Sequence, residues 1–102
     1  MKVLMINGSP HAKGNTSIAL GEIEKIFAEE GIETEILNIG NKDIRGCVAC
    51  NSCKKNGKCV FDDAVNEAAE KLKEADGLVV GTPVYVGSAN GTTVTFLDRL
   101  FY

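Results

Sequence analysis

Four consecutive apolar residues, Val3-Leu4-Met5-Ile6, follow the start of the chain without polar alternation, the pattern of a strand buried on both faces of a parallel sheet. A polar turn from Asn7 to Gly14 comes next. Apolar positions then recur at Ala19, Ile23, Ile26 and Phe27, one face of a helical period, and Gly31 supplies a C-terminal stop. From Ile32 to Ile39 the pattern switches to alternation, with Glu33 and Glu35 between Ile32, Thr34 and Ile36, as expected of an edge strand. A polar loop carrying the cysteines runs from Gly40 to Phe61. Asp62 and Asp63 then offer caps to a helix with Val65, Ala68, Ala69 and Leu72 inward. Leu78-Val79-Val80 forms a third strand ending at Gly81-Thr82-Pro83, and Val94, Leu97, Leu100 and Phe101 mark the inward side of a final helix.

This order of elements predicts an α/β fold: parallel strands joined by right-handed crossovers into a doubly wound sheet, strand order 2-1-3, with helices on both faces. Residues 1–102 are expected to form one domain. The third strand is too apolar for a solvent-exposed edge, so either a second copy covers it, making a homo-oligomer, or the domain is incomplete at its C-terminus.

Composition removes several classes of function. With 11 Lys+Arg against 14 Asp+Glu, and the basic residues scattered, no stripe exists to neutralise a nucleic-acid backbone. The first apolar run is too short for a signal peptide or a membrane span, so no membrane association and a cytoplasmic location are expected. In that compartment thiols stay reduced, and four Cys between positions 47 and 59 suggest metal or redox chemistry before disulfides.

Three segments carry candidate chemistry. The turn Gly8-Ser9-Pro10-His11-Ala12-Lys13-Gly14-Asn15-Thr16-Ser17 opens into a helix. Its backbone N–H groups, the positive helix end and the Ser9, Asn15, Thr16 and Ser17 side chains suit a phosphate. Five residues separate Gly8 from Gly14 and Asn15 follows, so this is not a Walker A loop, and no dinucleotide fingerprint occurs. A monophosphate such as that of a flavin mononucleotide is favoured. The alternative is an ordinary turn with Asn15 or Thr16 as N-cap. His11, without a carboxylate partner in sequence, is assigned no acid–base role.

Ligands of open α/β sheets bind where the strand order reverses, between the first and third strands here, which places Thr82 to Asn90, with Pro83-Val84-Tyr85-Val86-Gly87 within it, beside the phosphate turn. An apolar wall, an aromatic ring and permissive glycines suit a planar ligand; a flexible connection with Tyr85 covering the sheet end is the alternative. Finally, Cys47-x2-Cys50-x2-Cys53-x5-Cys59 gathers four thiols near Arg45, Lys54, Lys55 and Lys58. The three-residue spacing resembles the ligand run of a [4Fe–4S] cluster; zinc and metal-free thiols remain alternatives.

Together these segments resemble the NADPH-dependent FMN reductase family of flavodoxin-like proteins, especially its iron–sulfur flavoprotein branch. The resemblance runs from Lys2-Val3-Leu4-Met5-Ile6-Asn7-Gly8-Ser9-Pro10 through the cysteine loop to Thr82-Pro83-Val84-Tyr85 and Phe96-Leu97-Asp98-Arg99. It implies FMN, with Ser9, Asn15, Thr16 and Ser17 around the phosphate and Pro83, Val84, Tyr85 and Gly87 along the ring. It also implies a [4Fe–4S] cluster on Cys47, Cys50, Cys53 and Cys59. Where the family commonly has Arg this chain has His11, leaving Lys13 as the cation, and Val86 stands where relatives often place a second aromatic. The family's usual domain has five strands, of which this chain holds the N-terminal part. The implied activity is hydride transfer from NAD(P)H to flavin N5 and onward to a quinone, free flavin or ferredoxin-like acceptor, with backbone amides from Tyr85 to Gly87 near the ring and no side-chain acid or base. A non-catalytic electron carrier and a metal-binding fragment without a working flavin site are the rivals.

Overall fold

A computed structural model describes residues 1–11, 13–61 and 63–101 of the chain. Strand β1 (Lys2–Asn7) is flanked by β2 (Glu33–Asn38) and β3 (Gly77–Gly81), both parallel to it, giving the order 2-1-3. Val3 faces Thr34 on one side and Gly77 on the other. The continuous apolar run of β1 has its explanation in the layers. Val3 and Met5 pack against Leu20, Ile23 and Phe27 of helix α1 (Asn15–Glu29), while Leu4 and Ile6 pack on the opposite face against Val65, Ala68 and Phe96. Those last residues belong to helices α3 (Ala64–Glu74) and α4 (Gly91–Leu100). The chain is therefore an α/β flavodoxin-like sheet with helices on both sides.

Several details depart from the sequence expectation. On α1, Leu20 is the buried residue, whereas Ala19 and Ile26 are exposed. On α4, Thr93, Phe96 and Arg99 form the buried stripe, while Val94 and Phe101 are exposed. In both cases the apolar residues are distributed around the helix, and the sheet selects the stripe that meets it. The cysteine loop contains a short helix, α2 (Ser52–Asn56), and the segment after β3 folds into a hairpin of β4 (Val84–Tyr85) and β5 (Ser88–Ala89). The Asp63 carboxylate accepts from the Val65 N–H and caps α3. Asp62, the other expected cap, lies outside the described residues.

β2 occupies an edge, as its alternating pattern predicts. β3 occupies the other edge, half-buried throughout and, among the described residues, paired only with β1.

Candidate functional site

At the C-terminal ends of β1 and β3 the two loops singled out by sequence meet on one cavity of about 770 Å³. Ser9, Asn15 and Thr16 line it from the first loop, and Pro83, Val84 and Tyr85 from the second. His11 and Gly14 also border it; Lys13, Ser17, Val86 and Gly87 do not. Below the loops the cavity continues as an apolar trough along Ala19, Leu20 and Ile23 of α1 and Val79 and Val80 of β3, on the side where no described strand pairs with β3.

The first loop is shaped by its own polar groups. Buried Asn7 accepts the Ser9 N–H at 3.0 Å, the Ser9 hydroxyl accepts the His11 N–H at 3.1 Å, and the Gly14 N–H returns to the His11 carbonyl at 3.3 Å. Ser9 is thus committed to holding the turn. Gly14, not Asn15 or Thr16, is the N-cap of α1, and it makes no side-chain cap. A helix of 15 residues therefore presents an uncapped, partially positive N-terminus to the cavity, with Asn15 and Thr16 in its first turn. That is a donor set for an anion.

Glycine is required where these pieces touch. A Cβ on Gly8 would lie 1.9 Å from Thr93 Oγ1, and one on Gly40 only 2.0 Å from the Ser9 carbonyl oxygen. Gly40 therefore lets the end of β2 press against the backbone of the first loop.

Asn90 is an organising residue that sequence alone did not disclose. Its Nδ2 donates to the Gly8 carbonyl at 2.8 Å, its Oδ1 accepts the Thr93 N–H at 3.0 Å, and its N–H donates to Thr82 Oγ1 at 3.2 Å. One buried amide thus caps α4 and fixes the hairpin to the first loop. The signal was the N-cap pattern of Asn90 before an apolar-periodic helix.

The second candidate site is the cysteine loop. All four thiols border a narrow cavity of about 20 Å³, together with Phe61 and Arg99. Cys47 and Cys50 are exposed, whereas Cys53 and Cys59 are partly buried. Ala49 and Asn51 both take positive φ, 55° and 64°, which coils the loop back so that the Ala49 N–H reaches the Cys47 sulfur at 3.3 Å. The Ser52 hydroxyl, 3.5 Å from Cys50 Sγ, and then the Ser52 backbone lower the Cys50 pKa. Among the described residues no three Cys, His, Asp or Glu side chains stand ready as a coordinating set. Four soft sulfur donors around one cavity fit a thiophilic centre in kind. No described helix is long and apolar enough to cross a membrane.

A parallel sheet ordered 2-1-3, with the uncapped N-terminus of α1 at its strand reversal, defines a flavodoxin-like fold. The chain belongs to the NADPH-dependent FMN reductase family, whose profile matches residues 1–102. An iron–sulfur flavoprotein of Methanocaldococcus jannaschii is 44% identical over 99 residues, covering 97% of this chain and 51% of the relative. The chain spans about half the length of the curated relatives it matches. Among solved structures, RosB with bound 8-demethyl-8-formylriboflavin-5'-phosphate superposes with a TM-score of 0.77 at 24% identity, over 98% of this chain and 42% of that one. An NAD(P)H:quinone oxidoreductase from Methanothermobacter marburgensis gives 0.76 at 17% identity, over 99% and 53%. At these identities the structures establish the fold.

Proposed function

We propose that this chain forms the phosphate-gripping and ring-bordering portion of an FMN-dependent oxidoreductase of the NAD(P)H:quinone or iron–sulfur flavoprotein type. One observation carries the proposal: the uncapped N-terminus of α1 and the Pro83–Tyr85 segment border the same cavity at the strand reversal. Asn15 and Thr16 offer first-turn donors to the flavin phosphate, with Ser17 behind them in the same turn. Ser9 holds the turn open, and Pro83, Val84 and Tyr85 flank the ring. The hairpin runs on past Tyr85 beyond the cavity lining, Asn90 ties its base at Thr82 to the Gly8 carbonyl, and the apolar trough excludes water from the ring's other side. FMN, when bound, supplies hydride acceptance from a nicotinamide and delivery of electrons to a quinone, flavin or ferredoxin-like acceptor. Lys13 is exposed outside the cavity lining, so backbone dipole and hydroxyl donors carry the phosphate in this proposal.

The shared cavity of Cys47, Cys50, Cys53 and Cys59, together with the iron–sulfur flavoprotein relatives, supports these four thiols as ligands of a [4Fe–4S] cluster. Zinc or metal-free thiols are the competing occupancies, and iron, sulfide and zinc analysis of anaerobically purified protein separates them.

Titration with FMN and riboflavin, followed by flavin fluorescence and by melting temperature, tests the flavin site. FMN is expected to quench and to stabilise more than riboflavin does, because riboflavin lacks the phosphate. Saturating FMN without effect on either measurement removes the flavin proposal. Anaerobic addition of NADPH to the FMN-loaded chain then distinguishes an enzyme, whose flavin bleaches, from an electron carrier, whose flavin does not.

A further inference from the structure

Arg99 lies in the last turn of α4, nine residues and hence about 13 Å along the helix from Asn90. Its side chain is only 1% exposed. Nη1 donates to the Arg45 carbonyl at 2.9 Å and to Asp63 Oδ2 at 2.6 Å. Nη2 donates to Asp63 Oδ1 at 3.0 Å, to the Phe61 carbonyl at 2.8 Å and to the Cys59 sulfur at 3.2 Å. Both the Arg45 and the Arg99 guanidinium groups lie over the Phe61 ring, at 4.7 and 5.5 Å from its centre.

These partners have a pattern. Arg45 precedes the first cysteine by two residues, and Cys59, Phe61 and Asp63 close the run at its other end. A single guanidinium therefore draws both ends of the loop together. Asn66 adds a second hold on the same cysteine: its Oδ1 accepts the Cys59 N–H and its Nδ2 donates to the Cys59 carbonyl, both at 3.0 Å. Cys47 and Cys50, on the exposed side, make only local contacts among the described residues, to the Ala49 N–H and the Ser52 hydroxyl.

Packing a helix end does not call for such an arrangement. Burying a cation with its carboxylate is costly, and apolar residues of similar volume commonly stabilise a fold as well or better. Arg99 Nε is moreover buried without a hydrogen-bond partner among the described residues. The guanidinium is spent on the sulfur loop.

We propose that Arg99 is a positioning residue for the sulfur centre: it closes the neck of the cysteine loop, presents Cys59 before any metal arrives, and keeps an N–H on that sulfur in the loaded protein. This rests on the cluster assignment made above. A hydrogen bond and a positive charge at a ligand sulfur favour the more negative, reduced state of a cluster, so Arg99 raises its reduction potential.

The test uses the full chain, unsubstituted, as Arg99→Lys, and as the double variant Arg99→Met/Asp63→Asn, which removes both buried charges together. In the unloaded chain, hydrogen exchange is expected to show the Cys59 amide protected relative to those of Cys47 and Cys50. Both variants should lose that protection several-fold while the β1 amides keep theirs. After anaerobic loading with ferrous iron and sulfide, both variants should have a lower midpoint potential than the unsubstituted chain. Unchanged protection at Cys59, equal loss of protection in β1, or an unchanged potential in loaded variants each overturns the proposal. If the unsubstituted chain takes up no iron and sulfide, the cluster assignment and the redox half of the proposal fall together. The exchange pattern still decides separately whether Arg99 closes the neck of the loop around the Cys59 segment that Asn66 holds.

Discussion

Thr16 sits in the first turn of α1 on the wall of the large cavity, and an acidic residue there separates ligand binding from folding. A carboxylate near a helix N-terminus favours the helix but repels a phosphate. Thr16→Asp is therefore expected to weaken FMN binding by roughly tenfold or more, ~1.4 kcal/mol, with riboflavin binding and melting temperature preserved. Equal loss for both flavins contradicts a phosphate at this position. Val86 provides a second residue-level case. It and Gly87 form the two-residue connection of the hairpin, with φ of 53° and 73°, and Val86 is fully exposed. Two positive φ values in a hairpin turn favour Asn or Gly at the first position, and a β-branched residue there is strained. Val86→Asn should raise the unfolding free energy by about 1 kcal/mol, read from the urea midpoint. Gly40→Ala should do the reverse, by about 1–3 kcal/mol, because its methyl group meets the Ser9 backbone and not a yielding side chain.

At the level of elements, α3 is tied to β2 by an ion pair between Lys71 and Glu35, each about one-third exposed. The hydrogen bond from Lys71 lowers the Glu35 pKa against an opposing effect of desolvation, and the same bond raises that of Lys71. A lowered carboxylate pKa contributes stability that is present above its unfolded value and disappears as pH falls through the folded one. A raised ammonium pKa contributes below its unfolded value and is lost as pH climbs through the folded one. The pair thus stabilises between the two ranges. Glu35→Gln should flatten the acid limb of the stability profile measured by urea unfolding, and an unchanged acid limb argues against the pair. Elements with regular periodicity were legible: β1 from its unbroken run, β2 from its alternation, α3 from its spacing and cap. The inward faces of α1 and α4 were less so. Both helices carry apolar residues around more than one face, and only the sheet's position selects Leu20 over Ile26 and Phe96 over Phe101. Arg99 was missed because a charged residue in a helix ordinarily reads as surface. Its place three residues after Phe96 put it on the buried stripe.

For the molecule as a whole, β3 has hydrogen-bonding groups on a side that no described strand pairs, and Val94 and Phe101 are exposed on the helix that follows. Exposed sheet edges and apolar surface favour association. Sedimentation is expected to give at least twice the chain mass, and a monomer at high concentration contradicts this. The meeting of the loop after β1 with the segment after β3 was legible, because strand order alone brings those connections together. The ties that hold them, Asn90 and the close approach of Gly8 to Thr93, were not, since both act through contacts between segments distant in the chain. β1 sits between two partners reached by very different detours: Asn7 meets Asn38 across 31 residues, while Lys2 meets Asp76 across 74. Closing the shorter detour costs less chain entropy. Refolding should therefore nucleate in the β1–α1–β2 unit, with β3 and α4 docking late. Truncation of Ile36 should accordingly slow refolding, whereas truncation of Phe96 should chiefly hasten unfolding.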